Sequence, residues 1–167
     1  MTVVSSHKDP EALTLTFVAE FDASVERVWQ VWEDPRQLER WWGPPTWPAT
    51  FDRHEFVPGG RSNYYMTGPD GEKARGWWVI TSIQPPHRLE FDDGFADENG
   101  EPVGDMGATH GVVTLEASEV GTRMTAVTTF ESVEQLEKMS AMGMEEGMRE
   151  ALGQIDALLA ERVGTAP

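Results

Sequence analysis

"SVEQLEKMSAMGMEEGMREALGQIDALLAER", Ser132 to Arg162, is the stretch on which the fold turns. Leu136, Gly143, Met144, Gly147, Ala151, Ile155 and Leu158 recur on one broad side at helical spacing. Ser132 and Gln135 read as a capping box at its start. The expectation is one terminal helix of about 30 residues, reaching ~45 Å at ~1.5 Å per residue. Gly143, Gly147 and Gly153 fall inside it, each costing roughly 1 kcal/mol relative to alanine. Two accounts offset that cost. The glycines let the helix backbone approach a sheet closely, or, with the adaptable Met139, Met142, Met144 and Met148, they leave space that a ligand fills.

Upstream lies the sheet. In "ALTLTFVAE", residues 12–20, Leu13, Leu15 and Phe17 alternate with Thr14 and Thr16, a strand with one buried face. Strand signals recur at about 49–56, 61–67, 74–83, 87–93, 108–117 and 122–130, joined by turn chemistry such as "PGG" at 58–60 and "QPP" at 84–86. Short turns between consecutive strands mean antiparallel hairpins. The stretch from Asp92 to Asp105 carries six acidic residues and three glycines and reads as an exposed loop. Between the first strand and the rest, Val25, Val28, Trp29 and Trp32 form one helical stripe behind the N-cap Ser24. A second short helix opens at Asp34-Pro35 and stops at "WWGPP", 41–45, where Gly43 and Pro44 end it. The class is α+β: seven antiparallel strands, two short helices after the first, and one long helix to cover one face of the sheet. The domain is expected over 12–161, with 1–11 and 162–167 as tails.

Composition narrows the function. The chain has 167 residues, one domain by size, with 13 basic against 29 acidic residues and a net charge of −16. So negative a surface repels phosphate backbones and argues against nucleic acid as partner. Cysteine is absent, which excludes disulfides and thiolate chemistry and suits a cytoplasmic setting. No signal-peptide pattern opens the chain, and no apolar run is long enough to insert into a membrane.

Adjacent aromatics on a strand point to opposite faces, so one member of each of the pairs Tyr64-Tyr65 and Trp77-Trp78 faces the concave side. Such residues line small-molecule pockets, and they also fill large cores. The cavity wall is assigned to Trp41, Trp42, Phe56, Tyr65, Trp78, Phe91, Met144, Gly147 and Met148. His54, Glu55, Arg61 and His110 are the polar groups placed near it; a carboxylate or imidazole in an apolar pocket would have a shifted pKa and could move protons. No nucleophile elbow, phosphate loop or zinc motif is present, so catalytic residues remain unassigned. No metal and no cofactor is assigned either. The four histidines are isolated, and the calcium-loop register from Asp97 fails where Pro102 replaces the required glycine.

Taken together, "ASVERVWQVWEDPRQLERWWGP" (23–44), "VPGGR" (57–61), "GPDGE" (68–72), "IQPPHRLEF" (83–91) and "GMEEGMREAL" (143–152) resemble the family of activator-of-heat-shock-protein-90-ATPase homologues, within the START-like (SRPBCC) superfamily. The resemblance implies a helix-grip fold, a curved sheet wrapped around the terminal helix with a hydrophobic cavity between them. It implies binding of a small, largely apolar molecule, in a superfamily whose cavities hold lipids, sterols, polyketides or plant hormones. It leaves two alternatives: an enzyme of the cyclase or dehydratase kind, or an interaction protein that modulates a chaperone. The namesake acts on its chaperone through an additional N-terminal domain for which the chain has no room. A homodimer through an edge strand is a further candidate assembly.

Overall fold

The computed structural model describes residues 3–104 and 107–161, with the side chains of residues 3 and 4 left aside. Chain order is β1 (Val3–Asp9), β2 (Thr14–Phe21), α1 (Val25–Glu33), α2 (Pro35–Leu38), β3 (Ala49–His54), β4 (Arg61–Thr67), β5 (Lys73–Gln84), β6 (Arg88–Phe95), β7 (Ala108–Ala117), β8 (Thr122–Thr129), α3 (Val133–Ala141), α4 (Met144–Gly153) and α5 (Ile155–Ala160). The strands form one antiparallel sheet in the order β1-β2-β8-β7-β6-β5-β4-β3. The class is α+β, as expected, with eight strands among the described residues rather than seven. The extra one, β1, lies in the segment read as a tail. "SSHKD" lacks an apolar alternation because β1 is an edge strand, held by its ladder to β2 from Val3↔Ala19 to Asp9↔Thr14.

Alternation decides what the sheet buries. Leu15, Phe17, Ala19 and Phe21 of β2, Trp78 and Ile80 of β5, Leu89 and Phe91 of β6, and Val113 and Leu115 of β7 all point to the concave side and are buried. Against them pack Val28, Trp29 and Trp32 of α1, Leu136 of α3, Leu152 of α4, and Ile155 and Leu158 of α5. Burying a side chain of this size contributes about 1.5–3 kcal/mol, so this two-layer core is the main source of stability.

Both short helices are capped as the sequence implies. The Ser24 side chain accepts from Arg27 N–H, and the Asp34 side chain accepts from Arg36 N–H with Pro35 behind it. At α3 the Ser132 hydroxyl accepts from Gln135 N–H, while the Gln135 side chain returns to Glu131 N–H, one residue before the position a capping box uses.

The terminal helix is not one rod. It is interrupted at Gly143, whose φ of +85° is left-handed, and again at Gln154. The close-approach account of the glycines does not hold. A Cβ built at Gly147 or Gly153 would meet nothing within 4 Å, so neither glycine is needed for close approach to the sheet. Gly143 ends α3 and re-aims the chain into α4. Gln154 marks the second break and ties it to the loop after α2: its side-chain amide donates to Gly43 O at 2.7 Å and leans on Trp41 O at 3.4 Å.

Candidate functional site

The middle of the concavity is solid. Trp32 meets Trp41 edge to face at 4.7 Å, Trp42 meets Trp78 at 4.9 Å, and Trp78 stacks on Phe91 at 4.2 Å. Trp41 is fully buried and its indole N–H donates to Val31 O at 2.9 Å. Gly43, at φ +110°, turns the chain where a Cβ would stand 2.5 Å from Trp47 O. The "WWG" stretch is thus a plug. Beneath α4 the described residues leave a cleft of about 40 Å³, bordered by Phe91, Met144, Met148 and Leu152 among others.

Space opens farther along, where α3 breaks into α4 over the ends of β4, β6 and β7. A cavity of about 260 Å³ lies there. Its apolar walls are Met66, Phe95, Met139, Met142, Met144 and Met148, with Trp42 at its inner end. Gly143 lies on its rim beside Met142, which is 63% exposed. Five flexible thioethers around one volume make a wall that can reshape itself.

One pole of this cavity is polar. Asp93, Tyr64 and Thr109 enter it. Asp93 follows Leu89 and Phe91 in the inward alternation of β6, which runs two residues beyond the expected end at 93, into the stretch from Asp92 read as a loop. The Tyr64 hydroxyl donates to Asp93 Oδ1 at 3.1 Å. Its ring reaches that far because it lies across Gly76, its register partner on β5, where a Cβ would come within 2.3 Å of the ring. Burial pushes the Asp93 carboxyl from 3.8 up to about 7, against the donors Tyr64 O–H and Gly94 N–H that favour its anion. Burial, then the neighbouring Asp93, holds the Tyr64 phenol well above its ordinary value. Trp42 Nε1–H is buried without a full hydrogen bond; it leans toward the Tyr64 hydroxyl without reaching good geometry.

The residues singled out by sequence scatter around this site. Trp42, Met144 and Met148 border the cavity, and Phe91 borders the cleft behind it. Trp41 and Trp78 are fully buried in the plug, and Phe56 packs edge-on against Trp29. Gly147 borders neither space. Tyr65 is a correction: Tyr64 is the inward member of the pair, and Tyr65 lies on the outer face with Lys73 and Arg75 over its ring.

None of the four polar candidates enters the cavity. His54 is held away from it: Nε2–H donates to Trp32 O at 3.0 Å, leaving Nδ1 to accept from the Ser62 hydroxyl at 2.7 Å. Burial lowers its pKa, so the ring is a neutral structural bridge. Glu55 is exposed and bound by Arg53 and by the backbone N–H of Arg61. Arg61 sits beyond the inward Ser62 in the alternation of β4, at the far end of that strand from the cavity. His110 points outward from β7 between Asp92, 2.8 Å away, and Glu90, 3.2 Å away. Burial opposes its charging, but the two carboxylates together outweigh it and raise its pKa.

Sequence reasoning missed Asp93, Tyr64 and Met66. The signal for Asp93 was present: Leu89, Phe91, Asp93 and Phe95 keep period two, with one acid at an inward position. Among the described residues no helix is long and apolar enough to cross a membrane.

The fold has well-matched relatives among solved structures. A protein from Arthrobacter aurescens, solved by NMR, is 66% identical over 99% of this chain and 96% of its own, with a TM-score of 0.92. A crystal structure of a protein from Mycobacterium smegmatis is 49% identical over 95% of this chain and 97% of its own, with a TM-score of 0.88. One from Rhodobacter sphaeroides is 26% identical over 93% and 97%, with a TM-score of 0.81. No curated protein matches the chain. The family described as Activator of Hsp90 ATPase homolog 1-like protein matches residues 22–160, from the end of β2 to the end of α5. That span takes in both short helices, β3 to β8 and the broken terminal helix, and the chain belongs to this family.

Proposed function

We propose that the protein binds a small, largely apolar molecule in the methionine-walled cavity, working in the cytoplasm. The observation that carries this reading is the cavity of about 260 Å³ beside the break at Gly143, with apolar walls and a single polar pole. That volume lies just below the usual range of small-molecule sites, about 300–1,000 Å³, which join mostly apolar walls to a few orienting polar groups. The occupant is therefore compact. Apolar burial at roughly 25 cal/mol per Å² supplies the affinity, and the Asp93–Tyr64 pair sets the orientation.

The test is an NMR titration with butylbenzene, followed at the methyl signals of Met144 and Met148. Saturable shifts at these signals are expected, and Met144→Trp, which fills the space, should abolish the shift at Met148. Saturation that survives the filling variant, or no shift at all, refutes the reading.

A second reading, an enzyme of the cyclase or dehydratase kind, has one observation in its favour. Asp93 brings into the cavity a carboxyl whose proton is balanced near neutrality. Turnover of a bound compound that is lost in Asp93→Asn while binding persists would separate enzyme from carrier.

A further inference from the structure

The cavity's charge balance says more about the occupant than its size does. Resting on the reading of this cavity as a binding site, we infer that its occupant is an organic cation: a protonated amine on a compact apolar body, the nitrogen against Asp93 and the hydrocarbon among the methionines.

Each polar neighbour of Asp93 favours its anion. Tyr64 O–H donates to Oδ1 at 3.1 Å and Gly94 N–H donates to the same carboxyl. Trp42 Nε1–H, buried and without an acceptor of its own, leans on the Tyr64 oxygen and polarises that hydroxyl further toward Asp93. What the group lacks is a counter-charge. Among the described residues, no lysine, arginine or histidine lines the cavity or the cleft behind it. A half-buried carboxylate supported by donors yet without a cation among the described residues around it is half of an ion pair.

The three classes of head group fare differently here. A fatty acid or phosphate ester would bring a second negative charge against Asp93 with nothing to balance it. An alcohol would give one hydrogen bond and leave the charge uncompensated. An ammonium supplies both the charge and up to three N–H donors. The walls agree, since the Trp42 and Phe95 rings border the same space and aromatic faces attract cations. So does the exterior, because a net charge of −16 enriches cations and depletes anions around the protein.

The experiment ranks hexylamine, hexanol and hexanoate, equal in length and different in charge, by NMR titration at about pH 8, with wild-type protein and Asp93→Asn. Hexylamine is expected to bind at least ~10-fold more tightly than hexanol, with hexanoate weakest. In Asp93→Asn the amine should lose ~10-fold or more while hexanol stays within about twofold. Equal binding of amine and alcohol, or preference for hexanoate, overturns the cation and leaves the apolar cavity standing. Failure of all three to bind overturns the cavity reading and this inference with it. Should Asp93→Asn not fold, the wild-type ranking decides alone.

Discussion

At Gly143 the backbone has a φ of +85°, which an L side chain adopts only under strain, although a Cβ there would meet nothing within 4 Å. Gly147 has the same open surroundings without the unusual backbone. Opposite outcomes follow for the same substitution. Gly147→Ala should stabilise by about 0.5–1 kcal/mol through helix propensity, and Gly143→Ala should destabilise by about 1 kcal/mol through strain; urea unfolding of both variants checks the signs. Asp93 gives a pH signature. Its folded-state pKa of about 7 lies above the ordinary 3.8, so the folded protein holds this proton more tightly than the unfolded chain does. The associated stability is complete below about pH 4 and is lost as pH rises through about 7, by at most roughly 4 kcal/mol. Tyr64, the titratable side chain bonded to it, stays protonated throughout that window. Wild type should therefore lose stability relative to Asp93→Asn between about pH 5 and pH 8, and parallel curves for the two proteins would contradict the assignment.

Among the elements, strands were the most legible and helix interruptions the least. Period-two patterns such as Leu15, Phe17, Ala19 and Phe21 state both a strand and its buried face, because one sheet face is covered and the other is not. The edge strand β1 escaped because its order comes from backbone ladder bonds, which leave no mark on side-chain pattern. The last helix kept its apolar stripe across the break, so periodicity alone reads straight through Gly143. Asp93 was hidden for a related reason: its acidic neighbours Asp92, Asp97 and Glu98 made a composition argument for a loop louder than one residue's place in the alternation. The aromatics were found, but whether tryptophans line a space or fill it depends on how their rings interlock, and composition does not contain that. Gln154 is the element-scale counterpart, a single amide holding the second break against the loop after α2. Gln154→Ala leaves the Gly43 carbonyl without this donor and should cost about 1–2 kcal/mol in thermal unfolding, with the ends of α4 and α5 showing the largest loss of hydrogen-exchange protection.

The whole molecule is a negatively charged shell around an aromatic plug, with the methionine-walled cavity at one end of the plug. Twenty-nine acidic against 13 basic residues repel one another across a small surface, so Tm should rise as salt goes from ~20 to ~150 mM, where the screening length shrinks toward ~8 Å. A flat or falling Tm would show that local ion pairs such as Arg88–Glu90 dominate instead. The roof of the cavity also has a fastening at long range in sequence. The Ser6 hydroxyl on β1 donates to Glu145 of α4 at 2.9 Å and accepts from Arg149 one turn later. One wall of the cavity is thus latched by a peripheral strand that does not border it. Anything that peels β1 away from β2 would release α4 while sparing the plug, so the shape of the cavity would follow the state of an edge strand at the opposite end of the sheet order from β3.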